Sequence, residues 1–392
     1  MKIIYLTTSM LDDDFNELFN LSKVKPNPSN QLFHRKVIKS LMKVAKVSVV
    51  SFRPITPKTL GVDIIPEHRK ENYIYLPIEN QGVNRKVALK KSFLNLFPHL
   101  LEGEEEMPII VFDAINLLIS RLAKEVSQKY HLKRIAVITD DPFKVQSIQP
   151  LLRALIWLNY QHHHGYIAIS EGLNKLIGRP KKTIIIPTII DEEKILEPTK
   201  KTDSCLYFSG ALYKQYGIIN LLKSLEFISF GQNDKLIMAG YGPLTETIKA
   251  TGQNNSHIEF LGPIDPETNN RYINRSIGVI NPRQYEKNLR SFPSKIISII
   301  ENGGLLLSTD HEILTANLPD AYISLGRGSK EEIAFGLNQA LNLSWGQRKK
   351  IILSSQQRMV AIFGLEITGK KIESLLLKIN RSEEDLIHEI KS

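Results

Sequence analysis

The sequence predicts an α/β protein made of two Rossmann-like domains that face each other across a cleft. Short apolar runs alternate with longer amphipathic stretches along the chain, the pattern of parallel strands covered by helices. The alternation is interrupted once, at 187–201, where Pro187 and Pro198 bracket a polar, charged segment that we interpret as a linker. At 392 residues the chain is long enough for two such domains.

Seven apolar runs predict the strands of the first domain. They are Lys2–Thr7, Val47–Phe52, Tyr73–Leu76, Pro108–Phe112, Arg134–Thr139, Tyr166–Ile169 and Thr183–Ile186. Helical periodicity is present between them at Gln31–Lys43, Ala114–Tyr130 and Phe143–Tyr160. The polar segment Asp12–Ser29 is predicted to be a loop, long enough to serve an active site or an acceptor.

Six further apolar runs predict the strands of the second domain. They are Ser204–Ser209, Lys235–Ala239, His257–Leu261, Ile277–Ile280, Gly304–Ser308 and Ala321–Leu325. Helical patterns lie at Gly217–Ile228, Leu244–Ala250, Pro293–Glu301 and Lys330–Leu341, and only helical patterns follow Trp345. The predicted domains are therefore 1–190 and 200–370, with the helix of 371–392 crossing back to the first domain.

Composition and charge narrow the class of protein. A single cysteine, Cys205, excludes an intrachain disulfide framework and a cysteine-ligated zinc cluster. No run approaches the length of a membrane-spanning helix, and the N-terminus is unlike a signal peptide, so we expect a cytoplasmic protein. The net charge of +10 suits an anionic partner, but no nucleic-acid-binding motif is present and nucleic acid is not expected.

Two glycine turns follow predicted strands of the second domain and precede helices. Gly210 begins the first, which runs to Tyr216, and Gly240 and Gly242 form a Gly-x-Gly in the second. Glycines at such turns let backbone N–H groups approach a phosphate near a helix N-terminus. Each turn taken alone is also explained as an ordinary strand-to-helix connection.

A third segment gathers cations near a predicted helix start. It contains Arg283, Arg290 and Lys295, and Pro293 is suited to the first turn of the helix that follows. Arginine and lysine side chains beside free helix N–H groups favour an anion such as a diphosphate. A solvated basic loop is the alternative. Together the three segments, at the ends of successive strands, predict a diphosphate site.

The same segments carry a family resemblance. YFSGALYKQYGIINLLKSL, LIMAGYGPLTETI, HIEFLGPI and INPRQYEKNLRSFPSKII resemble, in order, segments of the retaining GT-B glycosyltransferases of family four. The branch that builds bacterial capsular and exopolysaccharides is the most similar. NPSNQLFHRKVIKSL, VITDDP, GYIAISEGLNKLI and TIIIPTIID in the first half are of the same type, so the resemblance covers nearly the whole chain.

The resemblance implies a metal-independent hexosyltransferase without a cofactor. A nucleotide sugar, UDP- or GDP-linked, would bind the second domain, and a lipid-linked or polymeric glycan acceptor would bind the first. Arg283 and Lys295 would hold the phosphates and act in catalysis. The other residues implied at the donor are Gly210, Tyr216, Gly240, Gly242, Phe292, Pro293, Ser294 and Ser298.

The sequence departs from the broad family pattern at two places; the first is expected in the polysaccharide branch, and the second raises an alternative. The first loop has Ala211 and Tyr216 where the broad family has cations, and Arg290 and Ser298 stand where it has a pair of glutamates. Glu301 follows one turn after Ser298 on the same helix face and is a conceivable substitute for the second glutamate. A noncatalytic GT-B paralogue acting as partner or chaperone of another glycosyltransferase is therefore the alternative, with a GT-B epimerase a third reading.

The first half supplies the acceptor-side candidates. Asp140 follows a strand and would orient or act on an acceptor hydroxyl, although capping of the next helix explains Asp140 or Asp141 equally well. Gln31 and His34 lie at the start of a helix, and surface exposure is the simpler explanation of His34. His162–His164 are predicted on a helix, where successive side chains diverge, so a metal site is not expected.

Two basic stretches predict docking on an anionic membrane surface. The first comprises Arg35, Lys36, Lys39, Lys43 and Lys46, and the second comprises Arg85, Lys86, Lys90 and Lys91 beside Phe93, Leu94 and Leu96. Basic residues next to apolar ones suit the inner face of the cell membrane. A solvated charged surface is the alternative.

Overall fold

The chain divides into two structural units. The computed structural model describes residues 1–26, 28–57, 59–60, 64–79, 85–103, 106–143, 149–200, 204–283 and 294–380. The first unit comprises Met1–Ile189 together with the C-terminal segment from Leu365, and the second comprises Ile190–Gly364. The C-terminal segment thus joins the first unit six residues before the position at which the sequence places it.

An eight-stranded sheet forms the centre of the first unit, in the order β10-β9-β8-β7-β1-β2-β5-β4. The strands are β1 (Lys2–Thr7), β2 (Lys46–Ser51), β4 (His68–Lys70), β5 (Tyr73–Tyr75), β7 (Ile109–Asp113), β8 (Arg134–Ile138), β9 (Gly165–Ala168) and β10 (Thr183–Ile185), and β3 (Ile64–Ile65) pairs separately with β6 (Ile78–Glu79). All neighbours in the large sheet are parallel except β4 and β5. The inner strands β1, β7 and β8 are buried along their whole length because helices cover both faces.

The helices of the first unit come mostly from the segments between strands. They are α1 (Asp12–Leu21), α2 (Pro28–Met42), α3 (Arg85–Leu96), α4 (Leu117–Lys129), α5 (Pro150–Asn159) and α6 (Glu171–Ile177), with α14 (Leu365–Asn380) added from the end of the chain. Helix α5 begins seven residues later than predicted. The three histidines that follow it lie in a turn before β9, so their assignment to a helix was wrong.

Helix α1 replaces most of the loop predicted at 12–29. Three aspartates, Asp12–Asp14, form its first turn, where negative charge is favoured by the helix dipole. Phe15 and Leu18 are spaced three apart and both enter the core. The segment was predicted to be a loop because its composition is mostly polar and the apolar face of α1 is short.

Helix α2 is buried on more sides than an amphipathic pattern predicts, because α14 packs against it. Arg35 and Lys36 are both buried. Arg35 pairs with Asp12, and the Lys36 ammonium donates to the Ile189 carbonyl at 3.1 Å. Their assignment to an exposed membrane-binding face is therefore wrong, whereas Lys43 and Lys46 are exposed as expected.

Helix α3 also differs from the predicted membrane surface. Phe93 and Leu96 belong to the core of the first unit, and Lys90 pairs with Glu125 at 2.8 Å. Lys86 and Lys91 remain exposed. The apolar residues of this stretch therefore stabilise the fold instead of facing a bilayer.

The second unit is built on a six-stranded parallel sheet in the order β13-β12-β11-β14-β15-β16. The strands are β11 (Cys205–Ser209), β12 (Lys235–Ala239), β13 (Ile258–Gly262), β14 (Gly278–Asn281), β15 (Leu306–Ser308) and β16 (Ile323–Ser324). The helices are α7 (Ile218–Ser224), α8 (Thr245–Asn254), α9 (Pro266–Arg275), α10 (Ser294–Glu301), α11 (Glu312–Asn317), α12 (Lys330–Asn342) and α13 (Trp345–Phe363). Two apolar clusters, one on each face of the sheet, form its core.

From Ile190 onward, the described part of the predicted linker packs onto the second unit. Ile190 is fully buried and forms a bridge to Gly364, and the Leu196 amide donates to the Glu301 carbonyl at 2.7 Å. Over the described residues, no helix is both long and apolar enough to cross a membrane.

Candidate functional site

A pocket of about 230 Å³ opens at the carboxyl ends of the first unit's strands. Thr8 follows β1, Ile115 follows β7 and Asp140 follows β8, while Asn30 and Gln31 come from the first turns of α2. Ligands bind to open parallel sheets at this edge. Gln31 and Asp140, two of the three predicted acceptor-side residues, therefore line one cavity.

Asp140 lies partly in the wall of this pocket and is exposed on its other side. Its Oδ2 accepts a hydrogen bond from the Thr139 hydroxyl at 2.9 Å. Desolvation raises the pKa of the Asp140 carboxyl, and the negative charge of Asp113 raises it further. The neighbouring Asp141 accepts from the Phe143 amide at 3.0 Å and so stabilises the turn. Neither aspartate caps α5, whose N-cap is Gln149, so this alternative was wrong.

Gln31 shapes the pocket through the loop that follows β1. Its amide nitrogen donates to the Met10 carbonyl at 2.5 Å, and its amide oxygen accepts from the Met10 amide at 3.1 Å. Both ends of the side chain are thus engaged within the protein. Gln31 positions the pocket wall, which is a less direct role than hydrogen bonding to an acceptor.

His34 is fully buried, so the interpretation of a surface histidine was wrong. It shares a helix face with Gln31 and Ile38, and this face packs on the sheet. The Tyr5 hydroxyl lies 2.7 Å from Nδ1 of His34, and Nε2 lies 3.6 Å from Oδ1 of Asp113. His34 therefore connects α2 with β1 and β7 beneath the pocket.

Asp113 is a buried carboxylate that the sequence reasoning missed. It accepts hydrogen bonds from Nδ2 of Asn30 at 3.1 Å and from the Ile115 amide at 3.3 Å. Burial raises its pKa, but His34 and these two donors together lower it below the ordinary value. Its position at the end of an apolar strand, PIIVFD, was the available signal.

In the second unit, the two glycine turns lie against each other. A Cβ atom at Gly240 would approach the Gly210 carbonyl oxygen to 1.8 Å, and one at Gly242 would approach that of Leu212 to 2.7 Å. Backbone crowding thus requires glycine at both positions. Gly210 is exposed, and a Cβ there would meet only the Phe208 ring, at 3.7 Å, so its turn has room for a ligand to approach.

Lys295, in the first turn of α10, points back to the ends of two strands. Its ammonium donates to the Ile280 carbonyl at 2.9 Å and lies 3.9 Å from the centre of the Phe208 ring. The residue is half-buried as a whole, and burial of its ammonium lowers the pKa to about 7. A cation is therefore held where β11, β14 and the start of α10 converge.

Arg283 supplies a second cation at this edge. Its guanidinium lies over the Tyr216 ring, 5.6 Å from the ring centre, and burial lowers its pKa. The Thr309 hydroxyl donates to the Arg283 main-chain carbonyl. The broad family has cations of its own in the loop that contains Tyr216. Here the Arg283 guanidinium, which lies over the Tyr216 ring, brings positive charge to that loop.

The structure describes only some of the remaining residues that were predicted to bind the donor. Phe292 and Pro293 lie outside the described residues, as does Arg290, and only the backbone of Ser294 is described, at the start of α10. Ser298 is half-buried, and its main-chain carbonyl accepts from Asn302 at 2.8 Å.

Glu301 does not compensate for Ser298. It ends α10, about 10 Å along the helix axis from Ser294. Its Oε1 accepts from the Asp191 amide at 2.9 Å. The idea that Glu301 replaces a donor-binding glutamate was therefore wrong, because this carboxylate holds the segment that precedes β11.

Among the described residues, no group of three or more histidine, cysteine or acidic side chains is arranged to hold a metal ion. In the second unit, the described residues place two partly desolvated cations, Lys295 and Arg283, near the start of α10. The other unit offers a polar pocket with a carboxylate in its wall.

Comparisons with known proteins establish the fold. No family model matches the sequence, and no curated protein does. The structure is similar to sucrose-phosphate synthase from Thermosynechococcus elongatus, with a TM-score of 0.64, 12% identity, and coverage of 97% of this chain and 99% of that chain. It is also similar to HepE from Anabaena in complex with UDP, with a TM-score of 0.62, 12% identity, and coverage of 96% and 100%.

A third solved structure is similar, the lipopolysaccharide outer core galactosyltransferase WaaB in its apo form. Its TM-score is 0.55 at 12% identity, with coverage of 96% of this chain and 99% of that chain. These neighbours are GT-B glycosyltransferases, and the chain has the GT-B fold of two Rossmann-like units. At this level of identity, the likeness establishes the fold alone.

Proposed function

We propose that the protein is a retaining glycosyltransferase that moves a hexose from a nucleoside diphosphate to a lipid-linked or polymeric glycan. The observation that carries the proposal is Lys295, held by Ile280 and Phe208 beside the start of α10. The second unit would bind the donor. UDP- or GDP-sugars are the donors we favour, and HepE, a structural neighbour, is described in complex with UDP.

The two cations would replace a metal ion at the departing diphosphate. When the sugar leaves, negative charge grows on the phosphate oxygen, and fixed positive groups stabilise that charge best where water is excluded. Lys295 and Arg283 lie at this edge of the sheet with Tyr216, and the helix start adds N–H groups. The proposed enzyme therefore needs neither a divalent cation nor a cofactor.

The pocket of the first unit would hold the acceptor. In the proposed reaction the acceptor oxygen bonds to the anomeric carbon, the bond from that carbon to the phosphate oxygen breaks, and the hydroxyl proton passes to the diphosphate. Asp140 would accept a hydrogen bond from the hydroxyl and orient it. Its support is its position in the pocket wall next to Thr139.

The resemblance to the capsular and exopolysaccharide branch supports a place in bacterial surface polysaccharide synthesis. The protein would act in the cytoplasm, peripheral to the inner face of the membrane. Of the two basic stretches, Lys43, Lys46, Lys86 and Lys91 are exposed, and these lysines would contact anionic lipid.

Transfer assays test the proposal. The full chain is incubated with UDP-, GDP- and dTDP-sugars and a mixture of lipid-linked acceptors. We expect transfer or slow donor hydrolysis that falls by about a hundredfold or more in Lys295→Ala, since one stabilising donor is removed. Lys249→Ala is the control, because Lys249 is an exposed residue that pairs with Glu246. Absence of both reactions with every donor would contradict the enzymatic reading.

A noncatalytic paralogue remains the second candidate, and α10 favours it. Glu301 is the only acidic residue among Ser294–Glu301, and it is engaged with the Asp191 amide. A donor site without a carboxylate for the ribose binds nucleotide more weakly. Calorimetry with UDP and GDP separates the two candidates. Binding that is lost in Lys295→Ala supports the enzyme, whereas no binding together with stable association to another glycosyltransferase supports the partner.

A further inference from the structure

A second pocket lies at the opposite, amino-terminal edge of the first unit's sheet. It has a volume of about 250 Å³ and is lined by five side chains, His162, His163, His164, Arg179 and Lys182. The histidines precede β9, and Arg179 and Lys182 precede β10. All five are basic residue types, and none belongs to the candidate site described above.

The histidine turn is fixed from below by Arg134, the first residue of β8. Its guanidinium donates to Nδ1 of His163, to the His162 carbonyl and to the Ser127 hydroxyl, each at 2.9 Å. Nε2 of His163 lies 2.6 Å from the Asn159 carbonyl. Since Nδ1 accepts, Nε2 carries the proton and His163 is neutral, forming a rigid and buried floor.

Basic residue types predominate among the residues that line this pocket. Burial, together with the charges of Arg134, His164 and Lys124, lowers the pKa of His163 to about 4. Burial also lowers the pKa of His164, together with Arg134, Lys133 and Lys182. Tyr166 and Lys378 also contact this region, through the His163 amide and the Lys181 carbonyl. No carboxylate is among the residues that line the pocket.

We propose that this pocket binds the phosphoryl group of a phosphate monoester. Arg179 offers a planar fork and Lys182 a point charge, the pair of cations that suits phosphate oxygens. Both are exposed at the mouth of the pocket, whereas His163 closes its floor. A bound dianion offsets the positive charges of Arg179 and Lys182. The monoester is either a soluble phosphorylated compound or the headgroup of a lipid.

Titration calorimetry of the full chain with inorganic phosphate and with sulfate tests the site. We expect saturable binding that weakens by about tenfold or more in Arg179→Ala/Lys182→Ala, since two charge-assisted contacts are lost. Lys181→Ala is the matched control, because Lys181 is an exposed neighbour that does not line the pocket. Equal weakening in the control, or no saturable binding, would show general surface charge and overturn the proposal.

Sulfate, which stays dianionic at neutral pH, isolates the contribution of the histidines. Its binding should strengthen as the pH falls from about 8 to about 6, because an anion raises the pKa of His164 and a proton is taken up. His164→Gln should flatten this dependence. The same dependence in His164→Gln as in the natural chain would contradict the assigned role of His164.

Vesicle flotation distinguishes the two sources of the monoester. Vesicles containing phosphatidic acid carry a monoester headgroup, and phosphatidylglycerol vesicles of equal charge do not. Preference for phosphatidic acid that is lost in Arg179→Ala/Lys182→Ala and reversed by inorganic phosphate assigns a lipid. Phosphate binding without that preference assigns a soluble compound. Because this site shares no residue with the donor or acceptor sites, its failure would leave the proposed transferase untouched.

Discussion

The Lys295 ammonium is buried, and its proposed interaction with a diphosphate depends on its positive charge. Its ammonium lies over Phe208 and donates to the Ile280 carbonyl, yet burial lowers its pKa to about 7. At neutral pH a substantial fraction of the free protein therefore has a neutral Lys295. An anion placed nearby restores the charged form, because opposite charges favour ionisation.

The affinity for UDP should therefore depend on pH. A lysine whose pKa rises on binding takes up a proton, so affinity falls as the pH rises from about 7 to about 9, by at most about tenfold per pH unit. The natural chain should show this fall and proton uptake in calorimetry with buffers of different ionisation enthalpy.

Two variants check this dependence on Lys295. Lys295→Met should bind weakly at every pH, and Lys295→Arg should bind with little change over the same range, since arginine stays charged. The same decline in Lys295→Arg as in the natural chain would contradict the assignment.

Asp113 and His34 form a buried pair beneath the acceptor-side pocket. Replacing Asp113 by alanine removes the acceptor of the Asn30 amide and the carboxylate beside Nε2 of His34. We expect a loss of about 1–3 kcal/mol in the free energy of unfolding of the first unit, the cost of leaving a buried polar group without its partner. Glu125→Ala is the contrast, because its pair with Lys90 is exposed and is expected to contribute less than about 1 kcal/mol. Urea unfolding measures both.

The pH dependence of this stability has a definite sign. The pKa of Asp113 is lower in the folded protein, so its contribution is present above the unfolded-state pKa and is lost as the pH falls through the folded-state value. The stability of Asp113→Ala should thus change less on acidification than that of the natural chain. Equal acid sensitivity would contradict the pairing.

At the scale of elements, the contact between α14 and α2 positions the acceptor-side residues. Helix α2 carries Asn30, Gln31 and His34, and α14 packs against it, with Gly369 in contact with Ser40. A Cβ atom at Gly369 would lie 2.5 Å from the Ser40 carbonyl oxygen. The absence of a side chain thus allows the two helices to touch.

Gly369→Ala should therefore destabilise the first unit, by about 1–3 kcal/mol, because the added methyl group overpacks a helix contact. Thermal unfolding measures the effect. Gly346→Ala in α13 is the matched control, since no atom lies within 4 Å of the added Cβ. The control should be neutral or more stable by up to about 1 kcal/mol. Equal effects of the two substitutions would contradict close packing at Gly369.

At the scale of the whole molecule, the net charge of +10 is distributed over several different tasks. Arg35, Lys36 and Arg134 are buried and bonded within the first unit, and Lys295 and Arg283 lie at the candidate donor site. Only part of the excess is left for an external anionic surface.

Binding to anionic vesicles should consequently be modest and sensitive to salt. Each lysine near such a surface contributes about 1 kcal/mol, and raising the salt from about 0.15 M to about 1 M shortens the screening length from about 8 Å to about 3 Å. Flotation with phosphatidylglycerol vesicles should be lost at high salt and reduced when Lys43, Lys46, Lys86 and Lys91 are changed to glutamine. If flotation is unaffected by high salt and by the four substitutions, electrostatic docking is excluded.

Apolar runs and helical periodicity predicted much of the fold, because these patterns depend only on residues that are close together along the chain. Strands β1 and β12 have the predicted bounds, Lys2–Thr7 and Lys235–Ala239, since an apolar run between polar turns is visible in the sequence itself. Helix α1 was missed because the apolar face of so short a helix, Phe15 and Leu18, is hidden among acidic residues.

The sequence by itself determined the α/β alternation, the glycine turns and the basic helix start that define the candidate donor site. Only the tertiary structure decided the burial of His34, Arg35 and Lys36, the pairing of Asp113 and the engagement of Glu301. The reason is distance along the chain. Asp113 is 79 residues from His34 and Glu301 is 110 residues from Asp191, so these contacts leave no local pattern.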